Sequence, residues 1–251
     1  MRFKGIVLRR KFADITITPS RFDPNSIREL ILKASILDYK LVGFNVHATK
    51  ANFLSIIQEA AKGFDLDIVS RVDVTFEKQW LIKKHLQKYR RKVELISLRG
   101  INRAIISFGC RDRRIDIISL DPDHKFTLFK GDIANILEQG KVLELTARPL
   151  IFADNIKKRV RALQQYEKII KLALHKGIKT VFGSGATTCY ELRDAGSLAS
   201  IMVAFFDVSY KDALDSLSKN IFEIVERNRF KLSKRFIWPG VYISSKSEKH
   251  D

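Results

Sequence analysis

Apolar residues in this chain recur with two alternating periods. Short runs of β-branched and aliphatic residues are each followed by a longer segment with apolar positions three and four apart. Residues 12–18 alternate as a first strand, and Pro19 and Pro24 bracket a loop. Asn25 or Ser26 then caps a helix carrying Ile27, Leu30, Ile31, Ala34 and Leu37 on one face. Residues 41–46 are nearly all apolar, as in a strand covered on both faces. A helix with Phe53, Leu54, Ile57, Ala60, Ala61 and Phe64 follows, then a strand over 67–74 and a helix over 78–89. The same reading gives strands at 93–98 and 115–120 with a short helix at 101–109 between them. A weak strand at 126–129 precedes a helix over 133–139 capped by Asp132. Next come a strand at 142–147, a long helix over 154–175 closed by Gly177, and a strand at 180–182. Helices over 190–206 and 210–229 complete the pattern.

Eight strand–helix alternations over about 220 residues predict a (β/α)8 barrel of TIM type. A doubly wound open sheet would favour a glycine-rich first turn, and Thr18-Pro19-Ser20 is not one. The barrel is expected over 12–229 as a single domain, with a basic arm at 1–11 and a basic tail at 230–251.

Charge changes this picture more than composition does. The 251 residues are 45% hydrophobic, enough for a sizeable core, but 46 lysines and arginines face 28 acids for a net +18. That balance points to a polyanionic partner. There is no apolar run of membrane-spanning length and no signal-type start, so a membrane role is not expected. The two cysteines, Cys110 and Cys189, read as free thiols in a reducing cytoplasm. The bases cluster. Residues 83–114 carry Arg90, Arg91, Arg99, Arg103, Arg111, Arg113 and Arg114 besides four lysines, against only Glu94 and Asp112. On the barrel, Arg99 and Arg148 fall just past strand ends at the C-terminal face, where ligands of such folds bind.

Several chemistries lack their residues. The five histidines form no HxH or HExxH, so no metal site is expected. Asp14, Asp73, Asp116 and Glu144 lie in or near strands; a structural ion pair of Asp14 or Asp73 with Arg71 suits them better than catalysis. Gly183-Ser184-Gly185 lacks nucleophile-elbow spacing, and no Walker or dinucleotide motif is present. The stretch 179–193 nevertheless places a Gly-Ser-Gly-Ala loop before a helix, a geometry that suits a phosphate, with Arg193 two turns on. This loop motivates the alternative of a stand-alone barrel phosphoesterase acting on a phosphorylated substrate. The 17 Phe, 6 Tyr and 2 Trp mostly follow the core periodicity, so recognition of an RNA backbone fits better than base stacking.

Phe12-Ala-Asp-Ile15, Arg71-Val-Asp73, Leu143-Glu-Leu145, Ser184-Gly-Ala186, Leu192-Arg193 and a late helix reaching Ser218, in this order and spacing, resemble the ribonuclease P protein component 3 family. That family is the archaeal counterpart of the thirty-kilodalton subunit of eukaryotic nuclear ribonuclease P. Gly183 and Ala195-Gly196-Ser197 depart from its usual pattern after the eighth strand. The resemblance implies a barrel related to the polymerase and histidinol phosphatase hydrolases, without their metal ligands. It implies an RNA-binding subunit of an endoribonuclease holoenzyme that removes the 5′ leader of precursor tRNA. No residue of this chain would be catalytic; the RNA subunit with its Mg²⁺ would carry the chemistry, and the protein would bind no cofactor. Implied partners are ribonuclease P RNA, other ribonuclease P proteins and a small ferredoxin-like subunit, as a heterodimer or heterotetramer. The family pattern marks Arg71 and Arg193 for RNA contact. Charge and the barrel arrangement add Arg90, Arg91, Arg99, Arg103, Arg111, Arg113, Arg114 and Arg148.

Overall fold

Runs with two apolar faces form parallel strands, and the amphipathic runs between them form helices laid outside. The computed structural model describes residues 10–50, 52–238 and 241–243; residues 1–9 of the expected arm and 244–251 of the expected tail lie outside it. The elements run β1 (Phe12–Ile17), α1 (Pro24–Ile36), β2 (Tyr39–Phe44), α2 (Phe53–Ala60), β3 (Asp67–Val69), β4 (Arg71–Asp73), α3 (Gln79–Tyr89), β5 (Leu95–Arg99) and α4 (Arg103–Arg111). They continue through β6 (Ile117–Ser119), α5 (Lys130–Gln139), β7 (Val142–Thr146), α6 (Arg148–Ile151), α7 (Ile156–Lys176), β8 (Thr180–Gly183) and α8 (Ala195–Phe206). The last elements are α9 (Tyr210–Ser216), α10 (Lys219–Leu232) and a ribbon of β9 (Phe236–Trp238) and β10 (Val241–Tyr242).

The barrel of TIM type is the one expected, with two changes to its expected strands among the described residues. The strand expected at 67–74 breaks at Ser70. Its first half, β3, pairs with β2, and its second, β4, pairs with β5. Glu94 holds the break by accepting the Ser70 N–H at 2.6 Å and its hydroxyl at 2.7 Å. The strand expected at 126–129 is a loop. Phe126 and Leu128 are buried all the same, and a Cβ at Gly100 would stand 2.9 Å from the Phe126 ring. The loop packs on the barrel wall without joining a ladder. Counting β3 and β4 as one stave, the described barrel has seven, in the orders β1-β2-β3 and β4-β5-β6-β7-β8.

The closing seam between β8 and β1 uses side chains. Asp14 Oδ2 accepts the Ser184 N–H at 3.0 Å, and Thr16 Oγ1 accepts the Gly185 N–H at 2.9 Å. Only glycine fits at 183, because a Cβ there would collide with Thr16 Oγ1 and lie 2.6 Å from Asp14 Oδ1.

Inside the barrel, Ala13, Ile15, Leu41, Val69, Leu95, Ile117, Val142 and Val181 form an apolar lower layer. Ile221, Ile224 and Val225 of α10 pack beneath it as a floor. Asn220 reaches the Thr180 carbonyl, Arg227 the Gly140 carbonyl and Asn228 the Glu94 carbonyl, so α10 spans the strand starts. The single helix expected over 210–229 is two, because the chain turns at Leu217 and Ser218. There the Leu217 carbonyl accepts the Ala13 N–H and ties the turn to β1. A second large cluster fills the space between the barrel and its outer helices.

Candidate nucleic-acid interface and the barrel mouth

Above the apolar layer the interior turns polar. Arg71 projects from β4 and is fully buried. Its guanidinium forks onto Glu144 of β7, with Nη2 donating to Oε1 at 2.8 Å and Nη1 to Oε2, and Nη1 also donates to the Ile15 carbonyl at 2.7 Å. Burial opposes the Arg71 charge, and Glu144 more than offsets it, so the guanidinium is held more firmly protonated than usual. The structural ion pair expected for Arg71 therefore exists with Glu144 rather than with Asp14 or Asp73. Expected RNA contact at Arg71 is corrected, because none of its surface reaches solvent. Asp73 stands near this pair; burial raises its carboxyl above the ordinary range, while Arg99 and Arg71 pull it back.

The loop after β8 does not leave its N–H groups open to a ligand. Those of Ser184 and Gly185 go to Asp14 and Thr16, that of Ala186 to Ser184 Oγ at 3.1 Å, and that of Thr187 to Glu191 at 2.7 Å. Burial works against the Glu191 carboxylate, yet Thr187 and Arg148 hold it below its usual range. The phosphate cradle that the phosphoesterase alternative would need is thus filled by the chain's own acceptors. Asp194 caps α8 by accepting the Ser197 N–H, so the helix expected from Tyr190 starts at Ala195.

The barrel mouth encloses a cavity of about 380 Å³. Thr16, Asn45, Arg99, Ser119, Glu144, Arg148 and Lys158 are among the residues lining it. Among the described residues no group of three or more His, Cys, Asp or Glu is placed to hold a metal ion. Among the described residues His124 pairs with Asp121, and His47 meets Thr49 and the Thr75 carbonyl. Cys110 is buried, which pushes its thiol up to about 12, and both cysteines are free.

The arginines expected to contact RNA divide by what they already hold. Arg90 pairs with Asp116 at 2.6 Å and Arg114 with Asp112 at 2.7 Å, both toward the floor. Arg103 pairs with Asp132 at 2.6 Å and lies 4.1 Å over the Phe129 ring. Arg148 pairs with Glu191 and donates to Thr187. Arg193 donates to the Tyr190 and Leu192 carbonyls and lies 5.4 Å from the Phe152 ring centre. Arg113 meets Glu138 at 3.5 Å with both ends exposed, and among the described residues the Arg111 guanidinium donates to the Ser107 carbonyl alone. Arg91 is exposed and Arg99 half-buried, and neither makes a hydrogen bond or ion pair among the described residues. The base-rich start of α7 is a second cluster of charge in the sequence, and it is exposed, with Ile156 and Val160 also facing solvent among Lys157, Arg159 and Arg161.

These features define a class: a basic barrel of TIM type whose surface, rather than a metal-bearing mouth, holds most of its unneutralised charge. Within that class the chain belongs to the RNase P subunit p30 family, whose sequence model matches residues 11–233. It is 25% identical over 215 residues to ribonuclease P protein component 3 of Methanothermobacter thermautotrophicus, covering 81% of this chain and 85% of that protein. The component 3 of Methanococcoides burtonii is 23% identical over 239 residues, covering 93% and 94%. A chain in the cryo-EM structure of archaeal ribonuclease P with mature tRNA superposes with a TM-score of 0.79 at 18% identity, covering 95% of this chain and all of that one. That superposition carries the fold.

Proposed function

We propose that this chain is an RNA-binding protein subunit of ribonuclease P, acting in the cytoplasm to support removal of the 5′ leader from precursor tRNA. The observation that carries this reading is family membership across nearly the whole barrel. The +18 charge supports it, since a surface that neutralises several phosphates gains from released counterions. Bond cleavage is assigned to the RNA subunit and its Mg²⁺, and the chain stabilises the RNA fold. Partners are ribonuclease P RNA, other protein subunits and a small ferredoxin-like protein. RNA contact falls chiefly to Arg91, Arg99, Arg111 and Arg113, with Arg103, Arg148 and Arg193 at the margins. The engaged N–H groups of the 183–187 loop count against the phosphoesterase alternative.

Reconstitution tests the reading. Added to ribonuclease P RNA with its other protein subunits, the chain should raise precursor-tRNA cleavage at limiting Mg²⁺ and cleave nothing alone. Its affinity for that RNA should fall steeply with salt, with a log–log slope of about −0.7 to −0.9 per phosphate contact. A flat salt dependence would overturn it.

A further inference from the structure

Three polar groups at the mouth stand out beside charged neighbours that are already paired. Arg148 holds Glu191, Glu144 holds Arg71, and Lys158 holds Asp154 at 2.5 Å. Arg99 at the end of β5 makes no hydrogen bond or ion pair among the described residues. Ser119 at the end of β6 is largely buried, and its hydroxyl makes no hydrogen bond among the described residues. Asn45, just past β2, keeps a buried Oδ1 with no hydrogen-bond partner. All three line the same cavity. Buried polar groups are ordinarily satisfied, so the buried Asn45 Oδ1, beside two unpaired donors on one cavity, points to a polar ligand there.

We propose that the mouth binds a single nucleotide unit, with its phosphate on Arg99 and Ser119. The proposal rests on the RNA-binding reading above and deepens it. A guanidinium fork and a hydroxyl are donors, which a phosphate matches with two or three oxygens. Asn45 Oδ1 is an acceptor, which a ribose hydroxyl or a base N–H matches. The cavity volume of about 380 Å³ suits a ligand of nucleotide size and is too small for a helix of paired RNA. Asp121 and Asp123 also line the mouth, and their carboxylates oppose further phosphates, so a monophosphate is favoured over a triphosphate. The nucleotide has two possible sources with one chemistry: an unpaired residue of RNA, or a free mononucleotide.

Calorimetric titration of the full chain with the four ribonucleoside 5′-monophosphates, their nucleosides and their triphosphates tests this. Monophosphates should bind at least tenfold more tightly than nucleosides and triphosphates. Arg99→Gln should lose at least tenfold of that affinity with its thermal midpoint unchanged, and Arg99→Lys should fall between, keeping the charge without the fork. Equal affinity in Arg99→Gln, or no monophosphate binding at all, would overturn the site. A five-nucleotide single strand that displaces the monophosphate assigns the site to RNA; one that does not, while the monophosphate still binds, assigns it to the free nucleotide. Salt-dependent binding to ribonuclease P RNA is measured separately. Its loss would fell the functional reading, whereas its persistence without nucleotide binding would fell only this inference.

Discussion

At the floor of the barrel Arg90, Arg114 and Arg229 each meet a carboxylate within 2.7 Å, and Lys141 Nζ donates to two backbone carbonyls. At the mouth Arg99 makes no hydrogen bond or ion pair among the described residues, and Asp73 is only a nearby charge. The two ends draw on the same residue types. The floor is covered by α10, and its arginines are already neutralised by the chain's own carboxylates even where, as at Arg114 and Arg229, they stay over a third exposed. The mouth is open, and a charge there can wait for a partner from outside. Positive charge in this chain therefore has two uses, separated along the barrel axis: holding the fold below and meeting anions above and around it.

The strongest challenge to this contrast is the pair between the two ends. Glu144→Ala leaves buried Arg71 without a counter-charge and should cost about 3–5 kcal/mol in urea unfolding. A cost under ~1 kcal/mol would mean that water reaches Arg71 and that the interior is not sealed. Ile224→Ala opens a cavity in the floor, where Ile224 is 3% exposed, and should cost about 2–5 kcal/mol. An equal truncation of exposed Ile156 should stay within about 0.5 kcal/mol.

The floor lysine gives a pH test. Burial pushes the Lys141 ammonium down to about 8 from an ordinary value of 10.5. Between those values the unfolded chain binds the extra proton, so this group's contribution to stability rises with pH through that window. Relative to Lys141→Met, the protein should gain ~2 kcal/mol between pH 7.5 and 10.5 by urea unfolding at each pH. A difference that stays flat would place this ammonium in water. At the seam, Gly183→Ala forces a Cβ against Thr16 and should cost about 1–3 kcal/mol by the same measurement. The smallest effect belongs to the mouth: Arg99→Gln should leave the unfolding free energy within about 0.5 kcal/mol while weakening anion binding.

Much of the floor and wall was readable in advance, and little of the charge pairing was. β2 announced itself because a strand covered on both faces has few polar positions. The run at 126–129 misled because alternation reports burial, and Phe126 is buried against Gly100 without a neighbouring strand. The break at Ser70 carries no local signal; it depends on Glu94, which the fold brings back from the next stave. Arg71 and Arg99 look alike as letters, and what separates them is Glu144, far along the chain. The 183–187 loop looked ready for phosphate for the same reason. Asp14, which takes its first N–H, is 170 positions earlier. Net charge is a property of composition, whereas free charge is a property of three-dimensional neighbours.

The floor helix has a consequence for how the protein is made. Ribosomes extend chains at about 5–20 residues per second, so β8 exists seconds before Ile221, Ile224 and Val225 do. During that interval the undersides of Ala13, Ile15, Leu41 and Leu95 have no cover, and the first stave has no Leu217 carbonyl to receive the Ala13 N–H. A product cut short before residue 221 would display an oily ring that quality-control chaperones and proteases are suited to grasp. The last helix thus serves as a completion mark, and only a chain read through to it offers a finished barrel for assembly with RNA.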